Sequence, residues 1–260
     1  MGALKGQDIL GNIAILKFDW KESQKKKKKE AEEFLKEHKG VRTVVEKTER
    51  FKGRLRTQKT RWLAGERNLE ALYRENGCEF RFNVESCYFS PRLASERKKI
   101  ASMVKKGENV LVMFGGVAPF AIVIGKLSKA ARIVSVELGR ECSRYAVQNV
   151  RRNKLEARVK VMQGDVRKVV PKLEEKFDRI VMARPRLEDS FLDIAFPAVK
   201  KGGMIHYYGF CSENEVDFMK KTILDEAKKA GKKIKLIKIE KAGDIGMRSF
   251  RYRADIKVLS

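Results

Sequence analysis

Val110-Leu-Val-Met-Phe-Gly-Gly-Val-Ala-Pro-Phe120 decides the fold. A short apolar run ends on two glycines, and a second apolar stretch, Val117 to Lys126, follows at helical spacing. An apolar run stopped by glycine reads as a strand buried on both faces, and strand, glycine turn and helix form the opening unit of a parallel α/β sheet. The pattern repeats downstream. Arg132 to Val136, Val159 to Met162, Phe177 to Met182, Gly203 to Tyr208 and Ile234 to Ile239 are strand-like, and Arg140 to Asn153, Ser190 to Val199 and Asn214 to Lys229 supply helices. Such alternation predicts a parallel, doubly wound sheet. Pro91 to Val104 reads as a helix leading into it. At the other end, Phe250, Tyr252, Ala254, Ile256 and Val258 alternate, which predicts a final strand, antiparallel and at the sheet's far side.

Upstream the rhythm differs. Ile9 to Phe18 reads as a hairpin about Gly11-Asn12, and Lys21 to His38, with the run Lys25 to Lys29, as a solvated basic helix stopped at Gly40. Val41 to Val45, Leu69 to Tyr73 and Cys78 to Val84 read as strands, the last two joined by Glu75-Asn76-Gly77. Phe51 to Thr60 is a basic, weakly apolar stretch. The expected division is therefore a small α+β domain at 1–86 and a Rossmann-like α/β domain at 87–260.

With 260 residues the chain can bury a core without staples. Lys and Arg number 59 against 34 Asp and Glu, a net charge of +25 that draws polyanions and makes nucleic acid the first partner to consider. Apolar runs such as Ala121 to Ile124 fall far short of the roughly 20 residues that cross a bilayer, so no membrane partner is expected. Met1 to Gln7 lacks the apolar core of a secretion signal, which places the protein in the cytoplasm. Cys78, Cys87, Cys142 and Cys211 show no CxxC spacing and the only histidines are His38 and His206. Reduced thiols and no metal are expected, and proton abstraction falls to a carboxylate.

In open α/β sheets ligands bind beyond the carboxyl ends of the strands. Gly115 and Gly116 allow close backbone approach there, but the stretch is not G-x-G-x-x-G, and Pro119 disfavours a pyrophosphate on the next helix. Glu137 ends the second strand, where an acid can accept from a ribose diol, and Gly164-Asp165 ends the third, where a base edge can be held. The three loops together suit an adenosine without its phosphates.

Tyr88-Phe-Ser-Pro-Arg-Leu-Ala-Ser-Glu-Arg97, Met113-Phe-Gly-Gly-Val-Ala-Pro-Phe120, Asp178-Arg-Ile-Val-Met182 and Ile205-His-Tyr-Tyr208 resemble the archaeal and eukaryotic tRNA guanine-37 N1-methyltransferase family with its wyosine-pathway relatives. Asp8-Ile-Leu-Gly-Asn-Ile-Ala-Ile-Leu16, Arg54-Leu-Arg-Thr57 and Glu75-Asn-Gly77 extend the likeness over nearly the whole chain. The resemblance implies a class I methyltransferase domain that binds S-adenosylmethionine, fused to a small domain that helps hold the anticodon-loop region of tRNA, in a protein expected to be a monomer. It implies Glu96 as the base that takes the N1 proton, Arg56 as the cation near O6 and Tyr88 as a positioning residue. Phe114, Gly115, Gly116, Val117, Glu137, Asp165 and Arg92 become cofactor-binding candidates. Arg184, Pro185 and Tyr207 become substrate-binding candidates, and Tyr88, Phe89, Tyr207 and Tyr208 are aromatics available to stack on a flipped base.

Two positions depart from the family pattern. The usual Asn-Leu-Pro after the fourth strand is Ala183-Arg184-Pro185, without the amide that would orient the guanine, and the acid expected just before the glycine loop is Val112. The expected activity is methyl transfer to N1 of guanosine 37, extending to a wyosine precursor. The alternatives are the wyosine-pathway aminocarboxypropyl transferase, which the missing asparagine favours, and a tRNA-binding relative without turnover.

Overall fold

In the computed structural model, which describes residues 4–49, 53–184, 187–246 and 249–260, the chain forms two units, residues 1–91 and 92–260. The first is built on β1 (Leu4–Leu10) and β2 (Ile13–Phe18), antiparallel about Gly11-Asn12 as the turn pair predicts. Helix α1 (Gln24–Glu37) crosses over to β3 (Thr43–Lys47), which runs parallel to β2, and β4 (Thr60–Gly65) closes the sheet antiparallel to β3. Strand β4, which begins where the basic stretch ends, was not foreseen because only Leu63 and Ala64 turn inward. A separate hairpin pairs β5 (Glu70–Glu75) with β6 (Cys78–Asn83). Asn12 fastens the first turn to β5, donating from Nδ2 to the Glu70 carbonyl at 3.2 Å and accepting from the Leu72 amide at 2.7 Å. The turn lies so close that a Cβ on Gly11, whose φ is 62°, would sit 1.9 Å from the Leu72 carbonyl oxygen.

Ser23 caps α1 by accepting from the Lys26 amide, and Lys27, Ala31 and Phe34 form its inward stripe. The expectation of a fully solvated basic helix needs correction here. Lys27 is 3% exposed, and its Nζ lies 2.6 Å from Oε1 of Glu46 on β3. A lysine at an inward position goes under when a carboxylate waits there; the run of five lysines hid that periodicity. Among the described residues Oε2 of Glu46 has only the Arg61 guanidinium at 3.8 Å, beyond hydrogen-bond distance. Lys27→Met therefore strands a buried carboxylate. It is expected to cost about 3 kcal/mol or more in urea denaturation, whereas Lys27→Met with Glu46→Leu should recover most of the loss.

The second unit begins with α2 (Ala94–Met103), then β7 (Asn109–Met113), α3 (Pro119–Leu127), β8 (Arg132–Glu137), α4 (Arg140–Arg152) and β9 (Val159–Gln163). A short α5 (Val166–Val169), not foreseen from the sequence, precedes β10 (Phe177–Met182), α6 (Leu192–Ala198), β11 (Val199–Cys211), α7 (Val216–Lys229), β12 (Ile234–Gly246) and β13 (Ser249–Val258). The sheet order is β12-β13-β11-β10-β7-β8-β9. Strands β11, β10, β7, β8 and β9 are mutually parallel, as the alternation predicts, and β13 is antiparallel to both neighbours. The final strand thus lies inside the edge, between β11 and β12, rather than at the far side. Its burial shows why: every residue from Arg251 to Ile256 is buried, which an edge strand would not permit.

Helices α6 and α7 cover one sheet face, where Leu111, Met113, Ile205, Tyr207 and Met219 share a core. Alternation along β11 and β13 sends His206, Tyr208, Arg253 and Asp255 to the opposite face. Pro119 occupies the first turn of α3, where its missing N–H costs the helix nothing. No helix among the described residues is long and apolar enough to cross a membrane, and the four cysteines are free thiols.

Candidate active site

The chain leaves β7 for β8 and β9 on one side and returns to β10 and β11 on the other, so the strand order switches at the carboxyl end of β7. The backbone there is contorted. Phe114, Gly116 and Ala118 all adopt left-handed φ values of 64°, 56° and 66°. Two of these are not glycine, and non-glycine residues hold that conformation at a cost of order 1 kcal/mol each only where surroundings fix them. The Gly115 amide donates to the Val136 carbonyl at 2.8 Å, and the Gly116 amide to Glu137 Oε2 at 2.7 Å. Val117 is buried beneath the loop, and the Phe114 ring meets Phe191 edge-on at 5.0 Å.

Glu137 ends β8 and also accepts from the Gly139 amide through Oε1 at 2.7 Å. Burial pushes its carboxyl above the usual carboxylate range despite the amides of Gly139 and Gly116, which pull the other way. The backbone amides, Leu138 among them, therefore do not fully replace the water it gives up. Gly164 ties β9 to β8 by donating to the Glu137 carbonyl at 2.8 Å, and Asp165 caps α5 by accepting from the Arg167 amide at 3.0 Å. A close-approach loop, an under-solvated acid and a capping aspartate on three successive strand ends fit an adenosine carrying no phosphate.

Glu96 lies on α2, and its side chain is 10% exposed. Its Oε1 accepts two hydrogen bonds, from the Tyr208 hydroxyl at 2.7 Å and from Arg253 Nη1 at 2.5 Å. Oε2 takes none among the described residues and is not sealed from solvent. Arg92 is exposed in the turn preceding α2.

Arg184 is 6% exposed, stacked 5.5 Å from the buried Tyr207 ring, and its Nη2 donates to the carbonyls of Leu187 and Asp189. Its guanidinium thus shapes the loop after β10. Pro185 lies outside the described residues. Among the stacking candidates, Tyr208 and Phe89 are core residues: Phe89 lies among Tyr73, Phe80 and Phe82, with ring separations of 4.9, 5.7 and 4.8 Å. Tyr88 is half-buried under the Arg56 guanidinium, 3.9 Å from its ring centroid, a cation–π contact of the first unit. Arg56 itself holds a φ of 52°. The loop that carries it is pinned by Gln58, which donates to the Val84 carbonyl at 2.8 Å, and by Glu85, which receives both the amide and the hydroxyl of Thr60. Sequence reasoning missed Arg253, Tyr208 as a hydrogen-bond donor, Gln58 and Glu85, since each acts on a partner distant in the chain. No cluster of potential metal ligands occurs among the described residues.

Five parallel strands, an antiparallel strand inside the edge and an adenosine-shaped set of strand-end loops define a class I S-adenosylmethionine-dependent methyltransferase. Residues 71–239 match the TRM5/TYW2 methyltransferase domain and residues 4–68 the TYW2 N-terminal domain, and the chain belongs to the TRM5/TYW2 methyltransferase family. It is similar to the tRNA (guanine(37)-N(1))-methyltransferase Trm5b of Pyrococcus abyssi, 33% identical over 252 residues, 96% of this chain and 74% of that protein. The crystal structure of that Trm5b superposes with a TM-score of 0.88 at 32% identity, over 100% of this chain and 76% of that one. The tRNA (guanine(37)-N(1))/4-demethylwyosine(37)-methyltransferase Taw22 of Nanoarchaeum equitans is 32% identical over 97% of this chain and 99% of its own length. Trm5 of Methanocaldococcus jannaschii, solved in complex with adenosine, is 25% identical with a TM-score of 0.84, over 100% of this chain and 74% of that one.

Proposed function

We propose that this protein methylates N1 of guanosine 37 in tRNA, in the cytoplasm, where free thiols are kept reduced. The observation that carries the reading is the asymmetry of Glu96: two buried donors hold one carboxylate oxygen, and the other is left to take a proton. N1 of guanine is protonated at neutral pH and must lose that proton as the new bond forms. S-adenosylmethionine supplies a methyl already activated on a sulfonium, with a neutral thioether as leaving group. Glu137 would accept from its ribose, the 114–117 loop would lie against it, and Asp165 and Arg92 would complete the hold. Arg56, braced on Tyr88, is the proposed donor to the charge that grows on O6, and Arg184, Pro185 and Tyr207 are assigned to the guanine's surroundings.

The test is incubation with unmodified tRNA transcripts and labelled S-adenosylmethionine, followed by nucleoside mass analysis; 1-methylguanosine at position 37 is expected. Similarity to Taw22 over 97% of this chain and 99% of that protein favours 4-demethylwyosine as a further substrate, tested with tRNA that carries it. An aminocarboxypropyl adduct would replace the methyl-transfer reading, and no product on either tRNA would leave RNA binding alone.

Binding should draw on α1. Lys25, Lys28 and Lys29 are exposed, Lys29 with Glu33 at 4.0 Å. Replacing Lys25, Lys28 and Lys29 by Gln is expected to flatten the salt dependence of tRNA affinity by about 0.9 in log–log slope for each duplex phosphate lost. An unaltered slope would assign these lysines to solvation, and Lys27 is left in place because it is buried.

A further inference from the structure

The face of the sheet opposite the core of α6 and α7 carries a chain of buried charges. Cross-strand partners Tyr208 on β11 and Arg253 on β13 stand side by side, and both donate to Oε1 of Glu96. Arg253, fully buried, also grips Asp255 through Nε at 2.8 Å and Nη2 at 3.0 Å, and Glu240 through Nη2 at 2.5 Å. The next cross-strand pair repeats the design: His206 Nδ1 lies 2.6 Å from Asp255 Oδ1. On its other side His206 Nε2 meets the Arg179 guanidinium at 2.6 Å. Arginine can only donate, so Nε2 accepts, the proton sits on Nδ1, and the imidazole is neutral. Arg179 is anchored in turn by Glu108 and the Met103 carbonyl.

A surface acid needs no such support. Eight polar side chains from α2, β10, β11, β12, β13 and the turn before β7, Glu96 among them, join in this network, and satisfied buried networks of this kind are rigid.

We infer that Tyr208 and Arg253 are positioning residues for the methyl transfer, clamping Oε1 of Glu96 so that Oε2 presents its lone pair in one fixed direction. The inference rests on Glu96 serving as the base. Neither residue touches the substrate or cofactor in this role; each acts through Glu96. Among the described residues Tyr208 and Arg253 bond that carboxylate directly, and Asp255 and Glu240 hold Arg253 in turn, Glu240 being paired also with Lys99 on α2.

Removing Arg253 outright would take the shared cation from Glu96, Asp255 and Glu240 together and endanger folding. Tyr208→Phe deletes a single hydroxyl and keeps the buried ring, so it is the variant to test, in a cycle with Glu96→Gln. Single-turnover rates with tRNA transcript and S-adenosylmethionine are the readout, alongside KM for tRNA. Tyr208→Phe is expected to lower the rate about tenfold with KM within twofold of wild type, and to lower it no further once Glu96 is Gln. A full rate in Tyr208→Phe, or a loss that multiplies with that of Glu96→Gln, overturns the positioning role. A full rate in Glu96→Gln alone removes the base itself, so one variant separates failure of that reading from failure of the clamp.

Discussion

Glu96→Gln is expected to reduce turnover by about 10²-fold or more while leaving tRNA affinity within a factor of about two. Glutamine keeps the shape of the side chain and a carbonyl oxygen, so the Tyr208 hydroxyl and Arg253 Nη1 retain their acceptor. Arg253 loses one of three anionic partners but keeps Asp255 and Glu240. The fold should survive. At the other position of the group the change is chemical: an amide NH2 replaces an acceptor oxygen and cannot take the N1 proton. Single-turnover kinetics and a separate binding measurement check this. If Glu96 merely completed a buried ion pair, the substitution would lower thermal stability with turnover unchanged, and that pattern would remove it from the mechanism.

What could be read from the sequence divides along a physical line. The places of Gly115-Gly116, Glu137 and Gly164-Asp165 were legible because each is local: a glycine turn and two strand ends are written in consecutive residues, whereas the helix that Asp165 caps was not foreseen. Arg253 was illegible because its meaning depends on α2, 157 residues away, and on a β13 that inserts between β11 and β12. Alternation predicted the strand from Phe250, Tyr252, Ala254, Ile256 and Val258 but says nothing of Arg251, Arg253 and Asp255 between them, whose burial follows from pairing on both sides. Lys27 shows the same limit in reverse. A run of like charges looks uniform, yet one position in it answers to Glu46 on another element. Burial of a charge is settled by a partner distant in sequence, and single-chain patterns carry little information about such partners.

Gly115→Ala is expected to weaken S-adenosylmethionine binding by about 30-fold or more, and the cause can be isolated. The glycine is not needed for its backbone angle, since its φ lies outside the left-handed region that Phe114, Gly116 and Ala118 occupy. It is needed because a Cβ there would stand 2.2 Å from the Ser135 hydroxyl oxygen on β8. The loop cannot retreat. Gly115 is bonded to Val136, Gly116 to Glu137, and the strained residues on either side leave little slack. Moving the loop to admit a methyl would break the Gly116 contact with Glu137 and tilt the acid expected to hold the ribose. Without the hydroxyl, however, the nearest atoms to that Cβ are Ser135 Cβ and the Val136 carbonyl oxygen, both at 3.5 Å, an ordinary contact. The hydroxyl is itself buried without a hydrogen-bond partner, so Ser135→Ala alone should be neutral or slightly stabilising. Gly115→Ala in the Ser135→Ala background should then return to within about threefold of wild-type affinity, a coupling of roughly 1.4 kcal/mol or more between residues in contact. Titration calorimetry with the cofactor reads all four corners of the cycle. If the double variant binds as weakly as Gly115→Ala, the hydroxyl is not the obstacle, and the close approach that glycine permits must be to the cofactor itself.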